Sequence, residues 1–335
     1  MDPVALTRAL VDIDSTTGRE AKAGRFLADY LRGLGFTVAE QPVGEARFNI
    51  FATVDRPHVV FSTHFDCVPP FFSSRVEGDR VFGRGACDAK GILAAQVAAA
   101  DTLHRGGERR VGLLFVVGEE RGSDGARIAN LVDSANPASL ASFLIDGEPT
   151  DNRLGLATRG VLRLKLSACG RAAHSSFPEL GESAIDTLLD ALVEMRAIDL
   201  PSDPVLGRTH YTIGLIAGGV APNVVSPSAE AEIMFRTVSD AAEVRRAILP
   251  IESRVIVEHV LEVPPVTLIT VPGFDTAVFP YTTDIPFLSG WGEPLLFGPG
   301  SVHVAHTADE FISMTELHAA VGHYVTIARD LLARV

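Results

Sequence analysis

Hydrophobic residues are spread along this chain in two different ways. Up to about residue 160, and again after about residue 262, they gather into unbroken runs of strand length separated by helical patterns. The run "RRVGLLFVVGEE" (109–120) is nearly continuous, as expected of a strand covered on both faces. "ASFLIDGEP" (141–149) reads as another strand, and two more are predicted at 48–54 and 58–63. Asp2 and Pro3 suit the cap and first position of a short helix ending near Asp12. Residues 19–34 put Phe26, Leu27, Tyr30, Leu31 and Leu34 on one helical face, with Gly35 as the stop. A glycine-rich loop, "GRGACDAKG", leads into a small-residue helix over 90–104, and further helices are predicted near 125–134 and over about 315–334. Strands alternating with helices imply an α/β sheet covered on both sides.

Between 160 and 262 the pattern changes. "VLRLKLSACG" (161–170) alternates apolar and polar residues, which marks a strand with one face in a core. A helix at 183–196, strands at 211–217 and 229–237, a helix at 240–249 and a strand at 254–261 complete the segment. This order predicts an open antiparallel sheet with its helices on one face. The expected architecture is therefore an α/β domain of residues 1–159 and 263–335, interrupted by an α+β domain of residues 160–262. A chain of 335 residues is also too long for one ordinary core.

Composition narrows the function classes. With 47% hydrophobic and 21% charged residues, the chain has the balance of a soluble globular protein. It has no apolar run of the ~20 residues that a membrane helix needs. The segment "MDPVALTRAL" lacks the basic and apolar regions of a secretory signal, so the expected location is the cytoplasm. A net charge of −13 without clustered Lys and Arg argues against nucleic acid as a partner. Cys67, Cys87 and Cys169 show no CxxC spacing, which disfavours a disulfide framework or a thiolate zinc site.

The candidate chemistry sits at the ends of the α/β strands. His64 and Asp66, in "STHFDCVP", are two residues apart and share one side of their strand. Burying two such groups is costly unless they are paired or bound to something. Asp88 follows "VFGRG", Glu119 and Glu120 end "LLFVVG", and Asp146 and Glu148 end "FLI". Ligands of open α/β sheets bind beyond the carboxyl ends of strands, so these groups should converge. Crowded carboxylates repel one another unless cations neutralise them. Taken singly, each has an ordinary reading as a helix cap, a solvated pair or a satisfied His–Asp bond. Four successive strand ends of this kind favour divalent metals, and His, Asp and Glu without thiolate suit catalytic zinc, cobalt or manganese.

The motifs "STHFDCVP", "GRGACDAKG", "GEERGSDGA", "DGEPT", "AAHSSFPELGESAI", "GGVAPNVV" and "GPGSVHVAHTADE" run through the whole chain. In this order the sequence resembles the di-zinc amidohydrolase and exopeptidase family that includes acetylornithine deacetylase, succinyl-diaminopimelate desuccinylase, aminoacylase and carboxypeptidase G. The resemblance implies a zinc-peptidase-like catalytic domain with a mixed sheet, and an inserted ferredoxin-like lid or dimerisation domain. It implies two divalent ions, zinc or cobalt. His64 and Glu148 would hold one, Glu120 and His306 the other, and Asp88 would bridge them. Asp66 would orient His64, and Glu119 would be the general base. His174, from the lid and often from the neighbouring subunit, would donate to the oxyanion, while Asn223 and Arg236 would hold the substrate's carboxylate. His303 and Asp146 remain alternatives to His306 and Glu148. Two departures stand out: Cys67 replaces a common threonine, and the chain is short after the lid.

The implied activity is metal-dependent hydrolysis of the amide bond of an N-acyl amino acid. An acetylornithine deacetylase-like enzyme of amino-acid biosynthesis is the expected form. A succinyl-diaminopimelate desuccinylase, a dipeptidase or a carboxypeptidase is the alternative, and a catalytically inactive binding relative is the alternative of another class. The expected partners are a small-molecule substrate and a second copy of the chain, joined through the lid, with neither nucleic acid nor membrane.

Overall fold

The computed structural model describes residues 1–131 and 141–335, so the end of the helix expected at 125–134 lies outside the described residues. The chain forms two compact units. The first comprises Met1–Leu156, Leu268–Ala277 and Thr283–Val335, and the second comprises Ala157–Thr267 and Val278–Thr282.

The first unit is built on a six-stranded mixed sheet. Its strands lie in the order Thr37–Gly44, Arg47–Thr53, Val111–Val116, Val59–His64, Phe143–Asp146 and Glu293–Leu296. The last four run parallel to one another, and the first two are antiparallel. Alternate residues of the central strands enter different cores. Phe61, Leu113, Phe115 and Ile145 pack with residues of helices Pro3–Val11, Ala21–Gly33, Lys90–Arg105 and Met314–Leu332. Val60, Leu114, Val116 and Leu144 pack instead with Ala126, Ala129 and Trp291. Burial on both faces explains why these strands read as unbroken apolar runs.

Strand Thr37–Gly44 was not expected from the hydrophobic pattern. It is the outermost strand, mostly exposed, and its register against Arg47–Thr53 shifts between Pro42 and Gly44. A polar edge strand buries too little to leave an apolar signature.

The second unit carries a four-stranded antiparallel sheet in the order His210–Gly218, Ser228–Thr237, Gly160–Cys169, Ile256–Val263. Helices Ala184–Met195 and Ala241–Ile248 share its core, giving the ferredoxin-like arrangement of strand–helix–strand–strand–helix–strand. In strand Gly160–Cys169 the inward positions are Leu162, Leu164 and Leu166. The outward Arg163 and Lys165 pair across the sheet with Glu232 and Glu230. Strand His210–Gly218 lies at the sheet edge, with Leu215 and Ile216 exposed. Among the described residues no helix is long and apolar enough to cross a membrane.

Candidate metal centre

Three parallel strands of the first unit deliver the site. His64 is the last residue of Val59–His64 and is 1% exposed. Its Nδ1 lies 3.1 Å from the main-chain oxygen of Asp66 and 3.5 Å from that residue's carboxylate, so the carbonyl takes the hydrogen bond. Its Nε2 lies 3.0 Å from Asp88 Oδ1. The fully buried Asp66 carboxylate accepts hydrogen bonds from Thr17 Oγ1 (2.8 Å) and from the main-chain N–H of Glu119 (3.2 Å). One buried aspartate thus ties the His64 strand end to the loop after Val111–Val116.

That loop turns at Gly118, where only glycine fits: φ is +81°, and a Cβ would stand 1.6 Å from Asp124 Oδ1. The turn carries Glu119 and Glu120. Asp88 comes from the loop before helix Lys90–Arg105, and Glu148 follows strand Phe143–Asp146 by two residues. His306 arrives from the segment before Phe311–Ser313 with φ +63°, a left-handed backbone that non-glycine residues adopt mostly at constrained sites. Its Nε2 is 3.2 Å from Asp88 Oδ2 and 3.0 Å from Glu120 Oε2. The two oxygens of Asp88 therefore face two different imidazoles.

The electrostatics show a cluster short of positive charge. Burial alone would lower the pKa of His64, but Asp66 and Asp88 outweigh it and hold the imidazole well above its ordinary value. Asp88 and Glu120 push His306 up to about 10. Burial would raise the pKa of Asp88, yet His306 and His64 bring it below the usual carboxylate range. Glu119 and Glu148 are raised well above that range. Burial is the main cause in both, with Asp284 and Glu120 adding to it for Glu119 and Asp88 adding to it for Glu148. Burial and Asp284 lift Asp146 to about 8, and burial lifts Asp284 to about 6. One oxygen of Asp146 and one of Asp284 have no hydrogen-bond partner among the described residues.

Divalent cations fit this donor set. Ligand atoms of His64, Asp88 and Glu120 lie within 4.8 Å of one another. The donors are imidazole nitrogen and carboxylate oxygen, the set that suits zinc or cobalt with open positions. The three cysteines are free, and Cys67 and Cys87 are buried with their thiols near Ser15 and the carbonyl of Ser301.

Sequence reasoning left two positions open. The contacts to Asp88 and Glu120 are made by His306, while the exposed His303 makes no hydrogen bond or ion pair among the described residues. Asp146 associates with Thr283 and Asp284, whereas Asp88 and Glu119 are the main charged groups acting on Glu148. Thr17, Asp284 and Glu310 were not anticipated as parts of the site. Thr17 and Asp284 sit in loops without a distinguishing pattern, and Glu310 showed only as the last letter of "HTADE".

The remaining expected residues lie in the second unit. His174 is exposed on a loop bridged to Val224, and its Nδ1 accepts the N–H of Ser176 (3.1 Å), which leaves the ring proton on Nε2. Asn223 is exposed, and its carbonyl accepts the N–H of Ser175 (3.0 Å). Arg236, half-buried on Ser228–Thr237, makes no hydrogen bond or ion pair among the described residues, and burial lowers its pKa.

The family model of peptidase family M20/M25/M40 matches residues 60–330 of this chain. The chain belongs to that family. It is a peptidase of family M20, a hydrolase of amide bonds, as its motifs implied. A probable carboxypeptidase of Aspergillus clavatus is 38% identical over 98% of this chain and 82% of its own length. Aminopeptidase PepT of Bacillus cereus superposes with a TM-score of 0.82 at 20% identity, covering 98% of both chains. A dinuclear metal-binding M20 peptidase of Bacillus subtilis gives 0.75 at 16% identity, covering 99% of this chain and 98% of its own. The α/β catalytic domain with an inserted lid is the architecture of these M20 folds.

Proposed function

We propose that this M20 peptidase is a di-metal exopeptidase or deacylase, cleaving the amide bond that precedes an amino acid with a free α-carboxylate. The observation that carries this reading is the position of Asp88, whose two oxygens lie 3.0 and 3.2 Å from His64 and His306. His64 and Glu148 would hold one divalent ion, Glu120 and His306 the second, and Asp88 both. Two such ions, zinc or cobalt, would supply the Lewis acidity that polarises a scissile carbonyl and acidifies water.

The chain's own groups do the rest. Glu119 takes the proton of the attacking water and passes it to the leaving amine. Asp66 holds both His64 and the backbone of Glu119, which keeps base and ligand in register. His174 donates its Nε2 proton to the oxyanion, and Arg236, with Asn223, receives the substrate's carboxylate. We assign these last roles to a homodimer in which the exposed edge strands His210–Gly218 of two lids pair, and His174 acts on the partner's substrate.

The name of the fungal relative favours a carboxypeptidase acting on short peptides over the narrower acetylornithine deacetylase-like role. The test is a panel of di- and tripeptides, N-acetyl and N-succinyl amino acids, and their C-terminal amides, assayed with added zinc or cobalt. Hydrolysis confined to substrates with a free carboxylate is expected, and peptides should be preferred. Equal turnover of the C-terminal amides would remove the carboxylate from the recognition, and no turnover of any substrate would favour an inactive relative.

A further inference from the structure

Glu310 is fully buried, four residues beyond His306, and the mechanism above gives it no task. Its surroundings are unusual for a simple ion pair. Oε1 accepts three main-chain N–H groups, from Gly85 (3.0 Å), Cys87 (3.1 Å) and Asp88 (3.1 Å). Oε2 accepts Nη1 of Arg84 (2.6 Å), a side chain that is itself buried and also donates to the carbonyl of Pro70 (3.2 Å). The main-chain oxygen of Glu310 accepts the N–H of Gly83 (3.0 Å). One residue therefore gathers the backbone of the loop at 83, 85, 87 and 88.

The last of these four residues is Asp88, two before the start of helix Lys90–Arg105. Its carboxylate can face both imidazoles only if its backbone is held at one height and one rotation, and its own N–H ends on Glu310. Glu310 shares a five-residue segment with His306, and the following strand Phe311–Ser313 pairs in register with Arg80–Phe82. The anchor of the shared carboxylate and one of the imidazoles it faces thus belong to the same piece of chain. Three N–H groups converging on one oxygen form a fixed cradle for an anion, and here the anion is a side chain. Arg84 alone would have met the need for a counter-charge.

We propose that Glu310 is a positioning residue of the metal centre: it fixes the loop bearing Asp88 so that one carboxylate serves both ions, and so sets their affinity. This rests on the ligand set proposed above, and the experiment separates the two. Zinc alone is titrated calorimetrically into wild type, Glu310→Ala, the double variant Arg84→Met/Glu310→Gln, and Asp88→Ala. Circular dichroism and thermal melts select temperatures at which each is folded. Glu310→Ala should bind zinc about 10–100-fold more weakly, the usual loss when a group supporting a ligand is removed. The double variant, which keeps an oxygen for the three N–H groups and leaves no unpaired charge, should recover most of that loss. The absorption bands of bound cobalt should move in Glu310→Ala and not in the double variant. A folded Glu310→Ala with wild-type affinity and an unchanged cobalt spectrum would overturn the proposal. If Glu310→Ala does not fold, a double variant as weak as Asp88→Ala would overturn it as well. Two ions bound at full affinity by Asp88→Ala would instead overturn the ligand set.

Discussion

The two units hold their polar groups in opposite ways. In the α/β unit, His64, Asp66 and Asp88 are 1%, 0% and 8% exposed, and each has two or more polar partners. In the α+β unit, His174 and Asn223 stand in solvent, and Arg236 has no hydrogen-bonding or charged partner among the described residues. Taking a charge out of water costs several kcal/mol even after relaxation, so the first arrangement persists only if every member is fixed by another. Leaving a histidine or an asparagine in water costs almost nothing. On the roles proposed above, the contrast sets a buried cluster that would take cations against exposed or unpaired donors that would take the substrate's anionic groups. Removing members of each set should therefore have different consequences.

The largest effect should come from Asp88, the one carboxylate that faces both imidazoles. Asp88→Ala is expected to lose both ions and to reduce hydrolysis to background, as chelation should in the wild type. Elemental analysis of zinc-titrated protein checks the stoichiometry. Two ions retained, or one held at unchanged affinity, would end the bridging role. Glu119 comes next, and it belongs to the same cluster by geometry but not by task. Glu119→Ala should keep its zinc and lose roughly 10²–10⁴-fold in kcat, the range for a positioned acid–base group. Loss of zinc instead would make Glu119 a ligand.

A smaller effect is expected from the exposed set. His174→Ala should cost about 10²–10³-fold in kcat, as removal of one oxyanion donor does, with zinc content unchanged. Mixing it with Glu119→Ala under subunit exchange tests the proposed dimer. If His174 serves the partner's site, a mixed dimer holds one site lacking both residues and one lacking neither, and activity should climb toward half of wild type. Exchange without recovery would return His174 to its own chain or remove it from catalysis.

The same contrast governs what could be read from the sequence. The α/β strands were legible because burial on two faces forces continuous apolar runs. The lid strands were legible because one buried face forces alternation, as in Leu162, Leu164 and Leu166. His64, Glu120 and Glu148 were visible because an ionisable residue at or just past the end of an apolar strand breaks the pattern that precedes it, and Asp88 because it sits in a glycine-rich loop that opens a helix. Strand Thr37–Gly44 left no such mark, since an edge strand in water needs no particular residues. Asp284 and Glu310 were silent for a different reason. Their partners are side chains and main-chain N–H groups far away in sequence, Arg84 lying 226 residues before Glu310, and no local spacing announces such a pairing.

The smallest expected effect is one of pH on the chelator-treated protein. A histidine whose pKa is raised by folding contributes stability that is fully present below its ordinary value and is lost as pH rises through the folded one. For His306 that window runs from 6.5 to about 10, and His64 shifts the same way. The buried acids act in the same direction. Folding raises Asp146 from 3.8 to about 8 and Glu119 and Glu148 well above 4.5, so the native state binds protons that the unfolded chain releases. Asp88 and Asp66 are lowered and act oppositely, but their contribution is already complete above pH 3.8. Between pH 6.5 and 9 the melting temperature of the chelated protein should therefore fall. Zinc should flatten that fall, because cations bound to these donors replace the protons, and zinc uptake near neutral pH should release protons measurable with an indicator dye. A melting temperature in chelator that holds steady or rises over this range would mean that the buried cluster is neutralised in some other way than by protons and metal ions.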